Sequence, residues 1–209
     1  MYDQRVNRCE DRIVSIHQPY VRPMKRGKSG SDVEFGAKVG LSLSEGFVSI
    51  DTIQWDNYDE AGDVRKAAEN YKQRYGYYPK KIYADGKYRT KTNMDWCRGH
   101  GIQLCGRNRR KKKQNLSAEE RRQLARDSRK RIPIEGKIGQ GKRKYGLDYV
   151  MTKLQNTSES WIGAVIFVLN LVRWEQYFFV FFQNVPGWLF RMIYFRLFQG
   201  KTHPAFQKL

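Results

Sequence analysis

The sequence is poor in cysteine, histidine and acid, and each shortage excludes something. Its 209 residues hold three cysteines, Cys9, Cys97 and Cys105, with no C-x-x-C pair. An odd count without that spacing argues against a disulfide framework or zinc ribbon and for a reducing cytosol. The three histidines, His17, His100 and His203, lie far apart and form none of the usual zinc spacings. Gly139–Lys142 reads G-Q-G-K but is followed by Arg143, so the frame of a nucleotide-binding loop is missing. The first dozen residues have no apolar run of the kind found in a secretory leader. Acids number 21 against 40 Lys and Arg, leaving a net charge of +19. A surplus of that size repels itself in a compact chain and points to a polyanionic partner. Nucleic acid comes first, an anionic membrane surface second. The 40% hydrophobic content supplies enough apolar area for a core and excludes a disordered polar tail.

The charge is concentrated. Residues 106–144 hold 16 Lys and Arg against 4 Asp and Glu, which is +12 of the +19. Residues 160–198 are the opposite, with 13 of the 29 aromatics and few charges. The chain therefore reads as a mixed first half, a basic middle and an aromatic tail.

The first half alternates strand and helix signals. Val33–Ser44 and Phe47–Gln54 are β-prone runs joined by Glu45-Gly46, a hairpin signal. Val64, Ala67, Ala68 and Tyr71 recur at helical spacing over Asp63–Tyr75, ending at Gly76. Lys81–Ala84 reads as a short strand ending at Asp85, Thr90–Arg98 as a helix, and Gly101–Leu104 as a second short strand. This is an α/β order. Ser117-Ala-Glu-Glu120 is a capping-box pattern. The helix it opens is expected to end near Pro133, with a second helix beginning there and continuing towards Tyr149–Thr152.

Two carboxylates stand out. Asp85 follows a strand, where α/β proteins bind ligands, although D-G-K is also good turn chemistry. Glu135 has Arg131 four residues before it and Lys142 seven after. A seven-residue step returns to the same helix face, offering one carboxylate and one ammonium to a common surface. A plain solvated charge pair is the competing reading. Gly136, Gly139 and Gly141 weaken that helix by about 1 kcal/mol each and call for a compensating role, such as close approach of a nucleic-acid backbone. Asp85 and Glu135 would suit Mg²⁺ (or Mn²⁺), which polarises a phosphodiester and activates a water or 3′-hydroxyl.

Together the motifs resemble one family, the DDE transposases of bacterial insertion sequences, in their C-terminal catalytic part. The resemblance is carried by D-R-I-V-S-I-H-Q-P-Y-V-R-P (11–23), R-G-K-S-G (26–30), E-F-G-A-K (34–38) and W-D-N-Y-D-E (55–60). It continues in Y-A-D-G-K-Y-R-T (83–90), C-R-G-H-G-I-Q-L (97–104) and I-E-G-K-I-G-Q-G-K-R-K-Y-G-L (134–147). It implies an RNase H-like catalytic core over residues 1–172, containing a basic loop at 106–118, followed by an aromatic-rich tail at 173–209. It places Asp85 on the family's second catalytic Asp and Glu135 on the Glu of its Y-x₂-R-x₃-E-x₆-K signature. Arg131 and Lys142 fit that spacing, while Ser128 holds the Tyr position. DNA at the element ends is the implied partner, Mg²⁺ or Mn²⁺ the cofactor, an oligomer on DNA the working form, and the bacterial cytoplasm and nucleoid the location. The DNA contacts are assigned to Arg89, Arg107, Arg109, Arg110, Lys111, Lys112, Lys113, Arg131, Lys142, Arg143 and Lys144.

The family's first catalytic Asp, on the first core strand, has no counterpart here. Asp3, Asp11 and Asp32 stand in the wrong context, and Asp51 on the second hairpin strand is the only local substitute. The family's N-terminal DNA-binding region is also not matched. The expectation is a truncated copy with two of three metal ligands, a missing first strand and impaired catalysis. A catalytically dead DNA-binding regulator is the alternative, and a basic membrane-surface protein the weaker one. In the tail, the charge-free stretches 160–172 and 176–190 are 13 and 15 residues, each shorter than the 18–20 or so a membrane span requires. Residues 161–172 are therefore expected to form a buried helix, with a packed soluble tail favoured over a membrane segment.

Overall fold

The computed structural model describes residues 12–25, 33–107 and 116–184. Its strands are β1 (Pro23–Lys25), β2 (Val33–Phe35), β3 (Lys38–Ser44), β4 (Phe47–Gln54), β5 (Lys81–Tyr83) and β6 (Gln103–Cys105). The helices are α1 (Asp63–Tyr75), α2 (Lys91–Gly99), α3 (Ala118–Tyr145) and α4 (Gln155–Asn184). Short 3₁₀ turns sit at Glu60–Gly62 and Gly86–Tyr88. Contacts divide the chain into Met1–Asn170 and Leu171–Leu209.

The strands form three two-stranded sheets. β1 and β2 pair antiparallel, β3 and β4 pair antiparallel, and β5 and β6 pair parallel. The β3–β4 turn is made by Glu45 at φ +53° and Gly46 at φ +89°, the paired left-handed residues that match the twist of a tight hairpin. The run 33–44 is not one strand as expected. It breaks at Gly36, whose φ of +131° is a glycine conformation, so Val33–Phe35 pairs with β1 and only Lys38–Ser44 joins the hairpin.

Two apolar clusters hold the first unit together. Val64 and Ala68 of α1, Cys97 of α2, Ile102 and Leu104 form one, against which Ile82, Ala84 and Trp96 pack. Burial pushes up the Cys97 and Cys105 thiol pKa values. Val48 of β4 with Val165, Ile166 and Leu169 of α4 forms the other. Ile162, Val165, Ile166 and Leu169 repeat at helical spacing and are all buried. The Asn170 amide completes this contact. Its Oδ1 accepts from the Val48 N–H at 2.7 Å and its Nδ2 donates to the Val48 carbonyl at 2.8 Å, occupying the edge of β4.

α3 corrects the expected break at Pro133. It is one helix from Ala118 to Tyr145, with Pro133 inside it. An interior proline removes a backbone hydrogen bond at a cost of about 3 kcal/mol. Both ends of α3 are anchored. Ser117 and Glu120 form the capping box, and Gly146 closes the helix at φ +71°. Between them Ile134 and Ile138 face a cavity shared with β3 and β5. The glycines of this helix separate by role. A Cβ on Gly141 would press on Leu147 and Leu169 at 3.2 and 3.4 Å, so packing accounts for it, whereas Gly136 faces open space.

α4 extends well past the expected 161–172. Arg173 and Glu175, whose charges divide the apolar stretches, do not interrupt it. Gln155–Val180 is long and apolar enough to cross a membrane by length and composition. Its residues up to Asn170 include the core positions above. In the second unit Trp174 stacks on Phe178 at 5.3 Å, Arg173 lies over Tyr177 at 4.4 Å, and Phe178 and Phe179 are exposed.

Candidate functional site

Asp85 is placed by the end of β5. Ala84 donates its N–H to the Cys105 carbonyl at 3.0 Å, so the parallel pairing runs up to the residue before the carboxylate. The Asp85 Oδ1 accepts from the Gly86 N–H at 2.6 Å and caps the 3₁₀ turn. Turn chemistry and an outward-facing carboxylate therefore coexist, the side chain being 58% exposed.

Glu135 arrives from the middle of α3, and Arg131 joins it to Asp85. The Arg131 guanidinium donates to Glu135 Oε1 at 2.7 Å and stands 3.6 Å from Asp85 Oδ1. The four-residue step on one helix supplies the first contact. The second is a tertiary contact between α3 and the end of β5. Asp85, Arg131 and Glu135 all line a cavity of about 480 Å³, together with β3 residues 40–44, Asp51, Asp63, Tyr71 and Arg74. The continuity of α3 through Pro133 is what allows Arg131, Ile134, Glu135 and Ile138 to share this wall.

Lys142 is separated from this group. It lines a second cavity, of about 630 Å³, beside Val150 and Ile162. Arg143 is exposed and donates Nε to Gly139 O at 3.3 Å, and Lys144 is exposed. Arg89 is half-buried and donates to Gly106 O at 3.1 Å, tying the Asp85 turn to the loop after β6. Arg107 is exposed at the start of the basic loop. Arg109, Arg110, Lys111, Lys112 and Lys113 lie outside the described residues, as do Asp3, Asp11 and Asp32.

Asp51, the sequence's substitute for a first carboxylate, lines the same cavity but is already engaged. Its side chain is 3% exposed, accepts from Asn70 Nδ2 at 3.2 Å and pairs with Arg74 at 3.5 Å. Among the described residues no group of three or more His, Cys, Asp and Glu is arranged to hold a metal. The donor set at the cavity mouth is thus two carboxylates bridged by one guanidinium. Hard oxygens of this kind are what Mg²⁺ takes, a cation that keeps several waters and completes its shell with substrate phosphates, and here both carboxylates pair with Arg131.

Sequence reasoning passed over a network behind Asp85. Glu60 accepts from Lys87 and lies 3.4 Å from Lys38, so it ties the 55–60 loop to the Gly86–Tyr88 turn. Asp63 accepts from the Tyr58 hydroxyl at 2.6 Å and from Thr52 Oγ1 at 3.3 Å. Burial, then the Asp63 hydrogen bond, raises the Tyr58 pKa. The visible signal was the clustering of acids and aromatics in W-D-N-Y-D-E. Burial raises the Glu60 pKa, but Lys87 and then Lys38 outweigh it and hold the carboxyl below its usual 4.5. A depressed carboxyl contributes stability above its unfolded pKa and loses it as pH falls through the folded one. Thermal melts should therefore show Glu60→Gln less stable than the parent at pH about 7 and converging on it at pH about 3. An unchanged gap at the lower pH would contradict this account of the network.

Comparison with known proteins finds no match among curated proteins and none among solved structures. The transposase DDE domain family matches residues 82–172. The matched stretch begins on β5, contains Asp85, Arg131 and Glu135, and runs into α4. Over residues 82–172, less than half of its length, this mixed α/β chain is similar to the transposase DDE domain family.

Proposed function

We propose that the chain acts in metal-dependent cleavage and transfer of DNA strands at the ends of a mobile element, with Asp85 and Glu135 as its metal-binding carboxylates. The observation that carries this reading is the Arg131 bridge, which brings together two carboxylates 50 residues apart at one cavity mouth inside the matched stretch. A divalent cation held by these carboxylates would polarise a phosphodiester and lower the pKa of the attacking water or 3′-hydroxyl. The protein's own contribution is placement. The cap on Gly86 fixes the Asp85 rotamer, and α3 presents Glu135 to it. Were Asp85 and Glu135 to hold a cation, the Arg131 guanidinium beside them would be available to a phosphate oxygen. Arg107 and the excess charge of the basic middle would neutralise further phosphates.

Two-metal transfer calls for a third carboxylate, and Asp51 is held by Asn70 and Arg74. We therefore read the domain as an RNase H-like core in which, among the described residues, only two carboxylates are offered to a metal. Among the described residues β3 pairs only with β4 and β5 only with β6. Both β3 and β5 line the cavity that Asp85 and Glu135 border. A further strand carrying the third carboxylate would lie beside those edges. Cleavage that relies on Asp85 and Glu135 alone would be slow.

The engagement of Asp51 also favours a second reading, a regulator that binds DNA without cutting it. Incubation of element-end DNA with the chain in Mg²⁺ or Mn²⁺ separates the two. The transposase reading expects slow nicks that stop on chelation. Salt-dependent binding with no nick in either metal would overturn it in favour of the regulator.

A further inference from the structure

We propose that the tyrosine-rich end of α1 binds an unpaired DNA strand by stacking its bases on Tyr75 and Tyr77. α1 ends at Tyr75, and Gly76 at φ +82° turns the chain back on itself. The turn gathers three rings. Tyr71 and Tyr75 have centroids 4.4 Å apart, and Tyr77 stands 5.9 Å from Tyr71 at 70° to it. A cluster serving only as core would be covered, yet Tyr75 is 41% and Tyr77 61% exposed.

The surroundings have the charge a nucleic-acid backbone requires. Residues 65–81 contain six Lys and Arg and one acid. The acid, Glu69, accepts from the Tyr78 hydroxyl at 2.7 Å. Lys66, Lys72, Lys80 and Lys81 are exposed. Exposed rings among lysines form a stacking platform with an electrostatic guide, the arrangement that holds single strands without reading their sequence. In a duplex the base faces are covered by their neighbours, so the rings would add nothing there and only the lysines would contribute. Tyr71 and Arg74 also line the cavity that reaches Asp85 and Glu135, so a strand on this patch would be continuous with the proposed cleavage site. The choice of DNA rests on the proposed function, whereas the stacking rests on the patch itself.

Fluorescence anisotropy with the full chain tests this, comparing a labelled oligo-dT of about 15 nucleotides with a duplex of the same length. The double variant Tyr75→Leu, Tyr77→Leu should lose about tenfold or more in oligo-dT affinity, keep its duplex affinity within about twofold, and recover when both positions are Phe. Oligo-dT affinity unchanged in the leucine variant, or an equal loss on duplex, would overturn the proposal. A second readout needs no variant: a 2-aminopurine base in the single strand should be quenched on binding to the parent chain, and an unquenched base in the complex would equally overturn it. Asp85→Asn should leave oligo-dT binding intact, so failure of the cleavage reading and failure of this one give different results.

Discussion

Asp85→Asn and Glu135→Gln should each lower metal-dependent nicking by at least about 10²–10³-fold while leaving duplex affinity within about twofold. Both substitutions keep the shape of the side chain and remove its charge. The hydrogen bond from Gly86 to Asp85 can be made by an amide oxygen, so the turn after β5 survives. Glu135 is exposed on α3, and losing its ion pair with Arg131 costs the fold little, since exposed pairs of this spacing contribute about 0.3–0.5 kcal/mol. What disappears is the pair of hard anionic oxygens a divalent cation requires. The assay is single-turnover nicking in Mn²⁺, read beside anisotropy on the same DNA. A regulator would show no nicking to lose. Nicking that survives both substitutions but falls with Asp51→Asn would move the site along the cavity to the carboxylate now held by Arg74.

Gly106→Ala carries the largest expected loss of stability. Gly106 adopts φ +153°, and a Cβ there would fall inside contact distance of the Ala84 carbonyl oxygen. The Ala84 backbone leads directly into Asp85, and the Gly106 carbonyl is held by Arg89. Strain in the backbone and the overlap contribute about 1–3 kcal/mol each, so unfolding in urea should show a loss of about 3 kcal/mol. Gly36→Ala separates the two contributions. Its φ is +131°, but a Cβ there meets nothing within 4 Å, so it should cost only the backbone part, about 1–2 kcal/mol. Equal losses at the two positions would mean that the Ala84 contact does not constrain the Asp85 strand.

Much of this architecture is legible in the sequence because it is local. Glu45-Gly46 marks the hairpin turn, Ser117 and Glu120 mark the start of α3, and Val64 with Ala68 marks the buried side of α1. Local rules mislead where tertiary packing outweighs propensity. Pro133 reads as a stop, yet α3 passes through it, anchored at both ends and carrying Ile134 and Ile138 on the cavity wall. Gly141 reads as room for a nucleic-acid backbone and is in fact room for Leu147 and Leu169.

The candidate site shows the same division. Asp85 and Glu135 could be named from motif and spacing, but their common partner could not. Arg131 reads as a phosphate contact because its sequence neighbours are basic. Its position between two carboxylates depends on where β5 ends relative to α3, and no single segment encodes that. Lys142, seven residues from Glu135 on the same helix, was expected to share its surface and borders a different cavity. Two turns of helix advance about 10 Å along the axis, enough to pass from one cavity to the next.

Divalent-cation binding at the cavity mouth is read by Mn²⁺ titration of the full chain with element-end DNA, followed by electron paramagnetic resonance. Mn²⁺ should be bound in the parent complex, lost in Asp85→Asn and in Glu135→Gln, and kept in Asp51→Asn. Mn²⁺ retained in both of the first two variants, or none bound by the parent complex, would contradict it.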